Sequence, residues 1–192
     1  MVTKEIPDEK ELLRRSIKGD KQAFGQLVTR NMKRAYYMAR TFTGSHEEAL
    51  DLSQEAFVRF WRSLKKFNPD REFFPYYYVI LRNLSLNSIR NKKIRAMPFS
   101  FLTETGVLYS VTDGTGDKTA IGSELSEMIQ SAMGQIPTED REIILLKDMH
   151  GHSYKEIAGM LSIPVGTVMS RLYTARNRFR QRMKEIGYEH TI

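Results

Sequence analysis

The sequence contains no cysteine, and this absence narrows the kinds of protein that it can encode. Without cysteine the chain can form neither a disulfide scaffold nor a thiolate metal site. The four histidines do not form a recognisable ligand set either, since His150 and His152 are simply close neighbours in the chain. The lack of cysteine is typical of a reducing compartment. We therefore expect a cytoplasmic protein without a metal centre.

Long apolar runs are also missing. No stretch approaches the roughly 20 apolar residues that a membrane span needs, and residues 1–16 lack the apolar segment of a signal peptide. We expect a soluble, unexported protein. Phosphate-binding glycine loops, nucleophile elbows and other catalytic constellations are absent as well, which argues against an enzyme.

Charge is distributed unevenly along the 192 residues, which hold 30 basic and 23 acidic side chains and a net charge of +7. Arg82 to Arg95 contain five basic residues and Arg171 to Lys184 contain six, and neither segment holds an acidic residue. Residues 96–135 contain five acidic residues and one basic residue. This pattern is typical of two nucleic-acid contacts joined by a spacer, although two solvated helix faces would give the same pattern.

Apolar residues recur at helical spacing, and no strand-like alternation or internal repeat stands out. Ser45 and Glu48 form a capping-box pattern that begins a helix running to about Lys66. Another helix is predicted from about Pro75 to Arg95. Turn residues then interrupt the helical pattern until about Glu124. The sequence therefore predicts an all-α protein whose two small helical domains, 1–95 and 124–192, are joined by a flexible linker, 96–123.

The second domain contains a helix-turn-helix pattern. Ser153 and Glu156 form another capping-box pattern at the start of a short helix. Ser162 lies in a tight turn, and Pro164 suits the first position of a longer helix. A second helix of this kind fits the major groove of DNA and presents its N-terminal residues to base edges.

Four motifs of this domain are Gln135-Ile136-Pro137, Arg141-Glu142, Ser153-Tyr154-x-Glu156-Ile157-Ala158 and Pro164-Val165-Gly166-Thr167-Val168-x-Ser170-Arg171-Leu172-x-x-Ala175-Arg176. They resemble the C-terminal domain of extracytoplasmic-function (ECF) sigma factors, which binds the minus-thirty-five promoter element. The resemblance implies that some residues face bases and that arginines hold phosphates. The predicted DNA-contacting residues are Thr167, Met169, Ser170, Arg171, Tyr173 and Arg176, and Arg178 is a further candidate for phosphate.

Two residues depart from the family pattern. Ser162 stands where the family usually has glycine in the turn, which is strained if this residue has a positive φ. Met169 stands where a basic residue is frequent, which removes a possible bidentate contact with guanine. Packing of Met169 and Tyr173 against a neighbouring helix is the alternative to base contact.

The segment from Ala49 to Trp61 resembles the sigma helix that docks on the clamp coiled coil of the largest polymerase subunit. Helical spacing places four residues on one face and Leu50, Phe57, Trp61 and Leu64 on another. The resemblance implies that the first face binds core RNA polymerase. Its residues are Asp51, Gln54, Glu55 and Val58.

The segment from Phe73 to Arg90 resembles the element that opens and reads the minus-ten region, and the loop from Phe67 to Phe74 would capture a flipped base. Aromatic stacking stabilises unpaired bases by about 1–3 kcal/mol each. Tyr76 occupies a usual tryptophan position and Asn87 a usual aspartate position. The residues implied in minus-ten binding are Phe73, Tyr76, Arg82, Asn83, Asn87 and Arg90.

The motifs together predict a sigma factor that carries core RNA polymerase to a promoter and helps to open it. Such a protein needs no cofactor, because the polymerase performs the catalysis, and an anti-sigma factor is a common regulator in the family. A helix-turn-helix regulator acting without polymerase is the main alternative. A regulator of that kind does not explain the sigma-like motifs in the segments Asp51–Trp61 and Phe73–Arg90. A module that only sequesters polymerase is a third possibility.

Overall fold

The computed structural model describes residues 7–43, 45–95 and 120–188, and in these ranges every regular element is helical. The all-α prediction is confirmed. Contacts divide the chain into two compact units, each of which contains four of the described α-helices. Most of the predicted linker, residues 96–123, lies outside the described residues. None of the described helices is long and apolar enough to cross a membrane.

The first unit has four helices, and polar side chains cap the first three. Asp8 accepts a bond from the Glu11 amide at 2.6 Å. Asp20 accepts from the Gln22 and Ala23 amides at 2.9 and 3.0 Å. Ser45 caps α3 as predicted, accepting from the Glu48 amide at 3.4 Å. The helices are α1 (Glu9–Ile17), α2 (Lys21–Arg40), α3 (His46–Ser63, continued by a 3-10 turn, Leu64–Lys66) and α4 (Phe73–Arg95).

An aromatic cluster forms the core of this unit between α3 and α4. Phe60 is fully buried, and its ring centroid lies 4.9 Å from that of Phe73 and 5.4 Å from that of Phe67. Tyr77 lies 4.3 Å from Phe57. Edge-on and offset contacts of this kind add about 0.5–1.5 kcal/mol per pair beyond the burial of area. The cluster therefore holds α4 against α3.

Tyr77 also makes a hydrogen bond within this core. Its hydroxyl donates to the backbone oxygen of Ser53 at 2.9 Å, and both residues are completely buried. Burial raises the pKa of the Tyr77 phenol far above its ordinary value, because the phenolate would lose its hydration. The hydroxyl consequently stays protonated and available as a donor. This bond sets the position of α4 along α3.

The second unit begins with α5, which starts at Ala120, before the predicted start near Glu124. Arg141 caps the C-terminal end of α5, since it donates to the backbone oxygens of Met133, Gly134 and Ile136 at 3.0–3.3 Å. The elements are α5 (Ala120–Gln135), α6 (Thr138–Ile144, continued by a π-helical turn, Leu145–Met149), α7 (Tyr154–Leu161) and α8 (Val165–Glu185).

Helices α7 and α8 form the predicted helix-turn-helix. The capping box of Ser153 and Glu156 is present in both directions. Ser162 ends α7 with φ of 55°, in the left-handed region where glycine is favoured. The predicted strain at this residue is thus confirmed, at a cost of about 1 kcal/mol. Pro164 precedes α8 as its N-cap.

Candidate polymerase and nucleic-acid interfaces

The polar face of α3 lies at the surface of the first unit. Asp51 and Gln54 are exposed, and Val58 is 42% exposed although it is apolar. Glu55 is half-buried and accepts a bond from the Nε of Arg59 at 2.8 Å, one helical turn further on. On the other face Phe57 and Leu64 are buried, while Leu50 and Trp61 are half-buried. The structure therefore brings the four predicted polymerase-binding residues together on one accessible face.

This face borders an apolar groove of about 430 Å³ between α2 and α3. Gln54 and Val58 line it from α3, and Phe24, Val28 and Met32 line it from α2. The sequence motifs do not indicate that these α2 residues belong to the site. Their spacing of four residues places them on one side of a helix. The same spacing occurs whether that side is buried against another helix or exposed to solvent. The groove adds accessible apolar area beside the predicted polymerase-binding face.

The surface of α4 carries most of the predicted minus-ten residues. Asn83, Asn87 and Arg90 are all exposed, and Arg82 is half-buried. Asn87 and Arg90 line a polar pocket of about 510 Å³ together with Arg59 from α3. Arg59 was not predicted as a site residue, because its approach to α4 depends on packing between helices. The pocket combines amide and guanidinium groups, which suit bases and phosphates.

The aromatic residues at the start of α4 divide into exposed and buried side chains. Tyr76 is 36% exposed, and its ring lies 5.0 Å from Phe67. Phe73 is only 1% exposed, and the rings of Phe57, Phe60 and Tyr77 surround it. A base cannot stack on a ring that is covered in this way, so Phe73 is removed from the predicted DNA-contacting set. Its function is to hold the core together.

The outer surface of α8 contains the predicted base-facing residues. Val168, Leu172 and Ala175 are buried against the rest of the unit, so the opposite side of the helix is open. Thr167 is half-buried and Ser170 is exposed. Met169 is 54% exposed and Tyr173 is 70% exposed, so neither packs against a neighbouring helix. The alternative of core packing is therefore wrong for both residues.

The arginines of α8 differ in how closely they are already paired with acidic side chains of the same unit. Arg176 forms a two-pronged ion pair with Asp148, and Arg178 donates to Asp140 at 2.7 Å. The hydrogen bond to Asp148 raises the pKa of Arg176 above its ordinary value. The side chain of Arg171 is 48% exposed and lies 4.0 Å from Glu139. Arg171 is thus the most available cation of the three, whereas a phosphate at Arg176 would share the guanidinium with Asp148.

No cluster of three or more potential metal ligands occurs among the described residues. The first unit thus has an exposed polar face on α3 and an exposed polar and basic surface on α4. The second unit presents a basic helix-turn-helix. Each arrangement suits the binding of macromolecules.

Two family models match the chain, one for each unit. The model of Sigma-70 region 2 matches residues 27–94, and the model of Sigma-70, region 4 matches residues 126–179. A relative from Bacillus subtilis, the ECF RNA polymerase sigma factor SigW, is 34% identical over 178 residues. The ECF RNA polymerase sigma-E factor of Escherichia coli K12 is 28% identical, covering 86% of this chain and 88% of the relative.

Solved structures with the same architecture are also similar to the chain. The structure of CnrH in complex with the cytosolic domain of CnrY has a TM-score of 0.67 and 26% identity, covering 93% of this chain and 99% of that one. The sigma factor RpoE from Bartonella quintana, in complex with the anti-sigma factor NepR, has a TM-score of 0.66 at 23% identity, covering 84% and 96%. The latter supports the fold alone.

The similarity to SigW extends over 88% of this chain and 93% of that relative. The two sigma-70 regions follow each other in the order that the motifs predicted. The chain belongs to the extracytoplasmic-function (ECF) RNA polymerase sigma factors.

Proposed function

We propose that this sigma factor divides promoter recognition among three surfaces. The α3 face of Asp51, Gln54, Glu55 and Val58 binds core RNA polymerase. The α4 surface around Asn83, Asn87 and Arg90 binds the opened minus-ten element, and the outer side of α8 binds the minus-thirty-five element. Family membership makes the protein a promoter-recognising initiation factor and not an enzyme. The assignment of residues to the three tasks is the proposal.

The single observation that carries this assignment is the exposure of α8. A helix that has Val168, Leu172 and Ala175 buried on one side, and an exposed surface with basic residues on the other, meets the requirements of a recognition helix. The proline N-cap has no side-chain hydrogen-bond acceptor, so it leaves the first amides of α8 open to a phosphate. The absence of acidic residues from Arg171 to Lys184 favours the same polyanion.

The first unit supports the two other tasks. Polymerase binding and minus-ten binding are assigned to different helices, α3 and α4, and their residues face solvent in the free protein. Tyr76 provides an exposed ring beside the polar residues of α4. We expect this ring to stack on an unpaired base, which would help to hold the strands apart without ATP.

Regulation by an anti-sigma factor is part of the proposal. The solved structure of CnrH contains a second protein, the cytosolic domain of CnrY. We infer by analogy that this chain also has a protein partner other than polymerase. The place of action follows from the binding partners: polymerase and promoter DNA are cytoplasmic in bacteria, and we propose the cytoplasm for this protein.

Run-off transcription with bacterial core polymerase tests the proposed function. The template is a pool of genomic DNA, transcribed with and without the protein. Discrete start sites that appear only with the protein are the expected result, and their alignment gives the promoter. Binding to core polymerase without new starts would favour a sequestering module. Failure of both would favour a helix-turn-helix regulator that acts alone.

Arg171→Ala is expected to weaken DNA binding at all sequences, since phosphate contacts carry no base information. The slope of log K against log salt concentration should become shallower by about 0.9 for each phosphate that the variant no longer neutralises. The measurement is a salt titration of holoenzyme binding to the mapped promoter. Arg176→Ala should have a smaller effect on the slope, because Asp148 already neutralises that guanidinium.

Arg14→Ala is the matched control for this experiment. It removes the same charge, and Arg14 is also exposed. It lies on α1 of the first unit, outside the helix-turn-helix. An equal change in slope for both variants would mean that only the net charge matters. It would contradict the assignment of Arg171.

A further inference from the structure

The outer side of α8 carries three exposed apolar residues at regular intervals. Val165, Met169 and Tyr173 are 43%, 54% and 70% exposed, and they follow one another at intervals of four residues. Four residues in a helix return to nearly the same side, so these side chains form one stripe. Other residues of α8 are buried in the core of the unit, so the core does not depend on these three side chains. We call this set the apolar stripe.

The first six residues of α8 lack the side chains that read bases by paired hydrogen bonds. Residues 164–170 contain no arginine, lysine, asparagine or glutamine. The Ser170 hydroxyl donates to the Thr167 backbone oxygen at 3.2 Å, so its proton is already engaged within the helix. Bidentate readout of guanine or adenine in the major groove requires a guanidinium, ammonium or amide group. This part of α8 therefore offers mainly apolar contact to the base edges.

The major groove presents one kind of apolar group, the C5 methyl of thymine. The apolar stripe extends over eight residue steps, about 12 Å at 1.5 Å per step, which is close to the width of the major groove. The segment from Arg171 to Lys184 of α8 holds six basic residues and no acidic residue. That charge favours DNA over an apolar protein surface as the occupant of this side of the helix.

We propose that the apolar stripe selects the minus-thirty-five element through thymine methyl groups. Met169 is its central reader, and Val165 and Tyr173 contact methyl groups on either side. The inference rests on the proposed binding of α8 in the major groove and adds the class of base that is read. Promoters of this sigma factor should accordingly carry A·T pairs at the positions beside Met169.

Replacement of single thymines by deoxyuridine tests the inference, since it removes the methyl group and leaves the base pairing intact. The probes are duplexes that carry the minus-thirty-five sequence of a promoter mapped by run-off transcription, and they are bound by the full holoenzyme. We expect a loss of affinity of about fourfold per contacted methyl group, the effect of one buried group of this size. Other thymines in the element should be insensitive.

Variants of the stripe connect the effect to individual residues. In Met169→Ala the sensitivity to deoxyuridine should disappear at one position and persist at the positions read by Val165 and Tyr173. Ile129→Ala is the control, because Ile129 is a 40% exposed apolar residue of α5 outside the helix-turn-helix. It should keep the full pattern of sensitivity. Val165→Ala and Tyr173→Ala should each abolish the sensitivity at a different position.

The outcomes separate this inference from the proposed function. Specific binding that tolerates deoxyuridine at every position would overturn the inference and leave the function of α8 intact. Sensitivity that is unchanged in all three stripe variants would also overturn it, because the methyl groups would then act through DNA shape. A holoenzyme that ignores the minus-thirty-five sequence altogether would contradict the proposed function itself.

Discussion

Asp51→Lys is expected to weaken the binding of this sigma factor to core RNA polymerase by about 2 kcal/mol or more, which corresponds to about 30-fold in Kd. Asp51 is exposed on the same face of α3 as Gln54 and Val58. A lysine there would place a positive charge where the interface is proposed to require a negative one. Juxtaposed charges of like sign cost several kcal/mol when an interface excludes water. The affinity of the free protein for DNA should not decrease.

A fluorescence titration of core polymerase with the labelled protein measures this effect. Glu11→Lys is the matched control, since it makes the same charge reversal at an exposed residue of α1 in the same unit. Glu55→Lys should also weaken binding, but it releases Arg59 from its ion pair as well, so Asp51 is the cleaner probe. Unchanged polymerase affinity in Asp51→Lys would refute the assigned face. An equal loss with Glu11→Lys would show that net charge alone decides binding.

Phe73→Ala and Tyr76→Ala are expected to fail in different ways, although the residues are only three positions apart. Phe73→Ala should lower the free energy of unfolding of the first unit by about 3–5 kcal/mol, because it removes a fully packed ring. Tyr76→Ala should lose less stability and should reduce promoter opening by about 1–3 kcal/mol, the stacking energy of one base. Loss of the Phe73 ring is thus expected to affect protein folding, whereas loss of the Tyr76 ring is expected to affect promoter opening.

Two measurements distinguish these effects. Urea unfolding followed by the fluorescence of Trp61 reports on the first unit, because this residue of α3 is the single tryptophan of the chain. Permanganate reactivity of unpaired thymines reports on promoter opening. Phe73→Leu should restore most of the stability, and Tyr76→Phe should preserve opening because it keeps the ring. A folded Phe73→Ala protein with a specific defect in opening would return Phe73 to the DNA-contacting set.

Local sequence patterns predicted the helices well, with small errors at their ends. α4 begins at Phe73 and not near Pro75, since proline is tolerated in the first turn of a helix, where its missing N–H has no partner to lose. The strain at Ser162 was also predictable, because the turn of a helix-turn-helix requires a left-handed residue at that point. These features depend on residues that are neighbours in the chain.

The sequence by itself determined the all-α fold, the capping box of Ser153 and Glu156, the helix-turn-helix and the family, because each depends on short-range spacing or on motifs read in order. Only the tertiary structure decided that Phe73 is buried while Tyr76 is exposed, that Asp148 engages Arg176, and that α2 and α3 form an apolar groove. Helical periodicity defines which residues share a face. Whether that face is covered depends on helices that are distant in the chain, and their packing is a tertiary property.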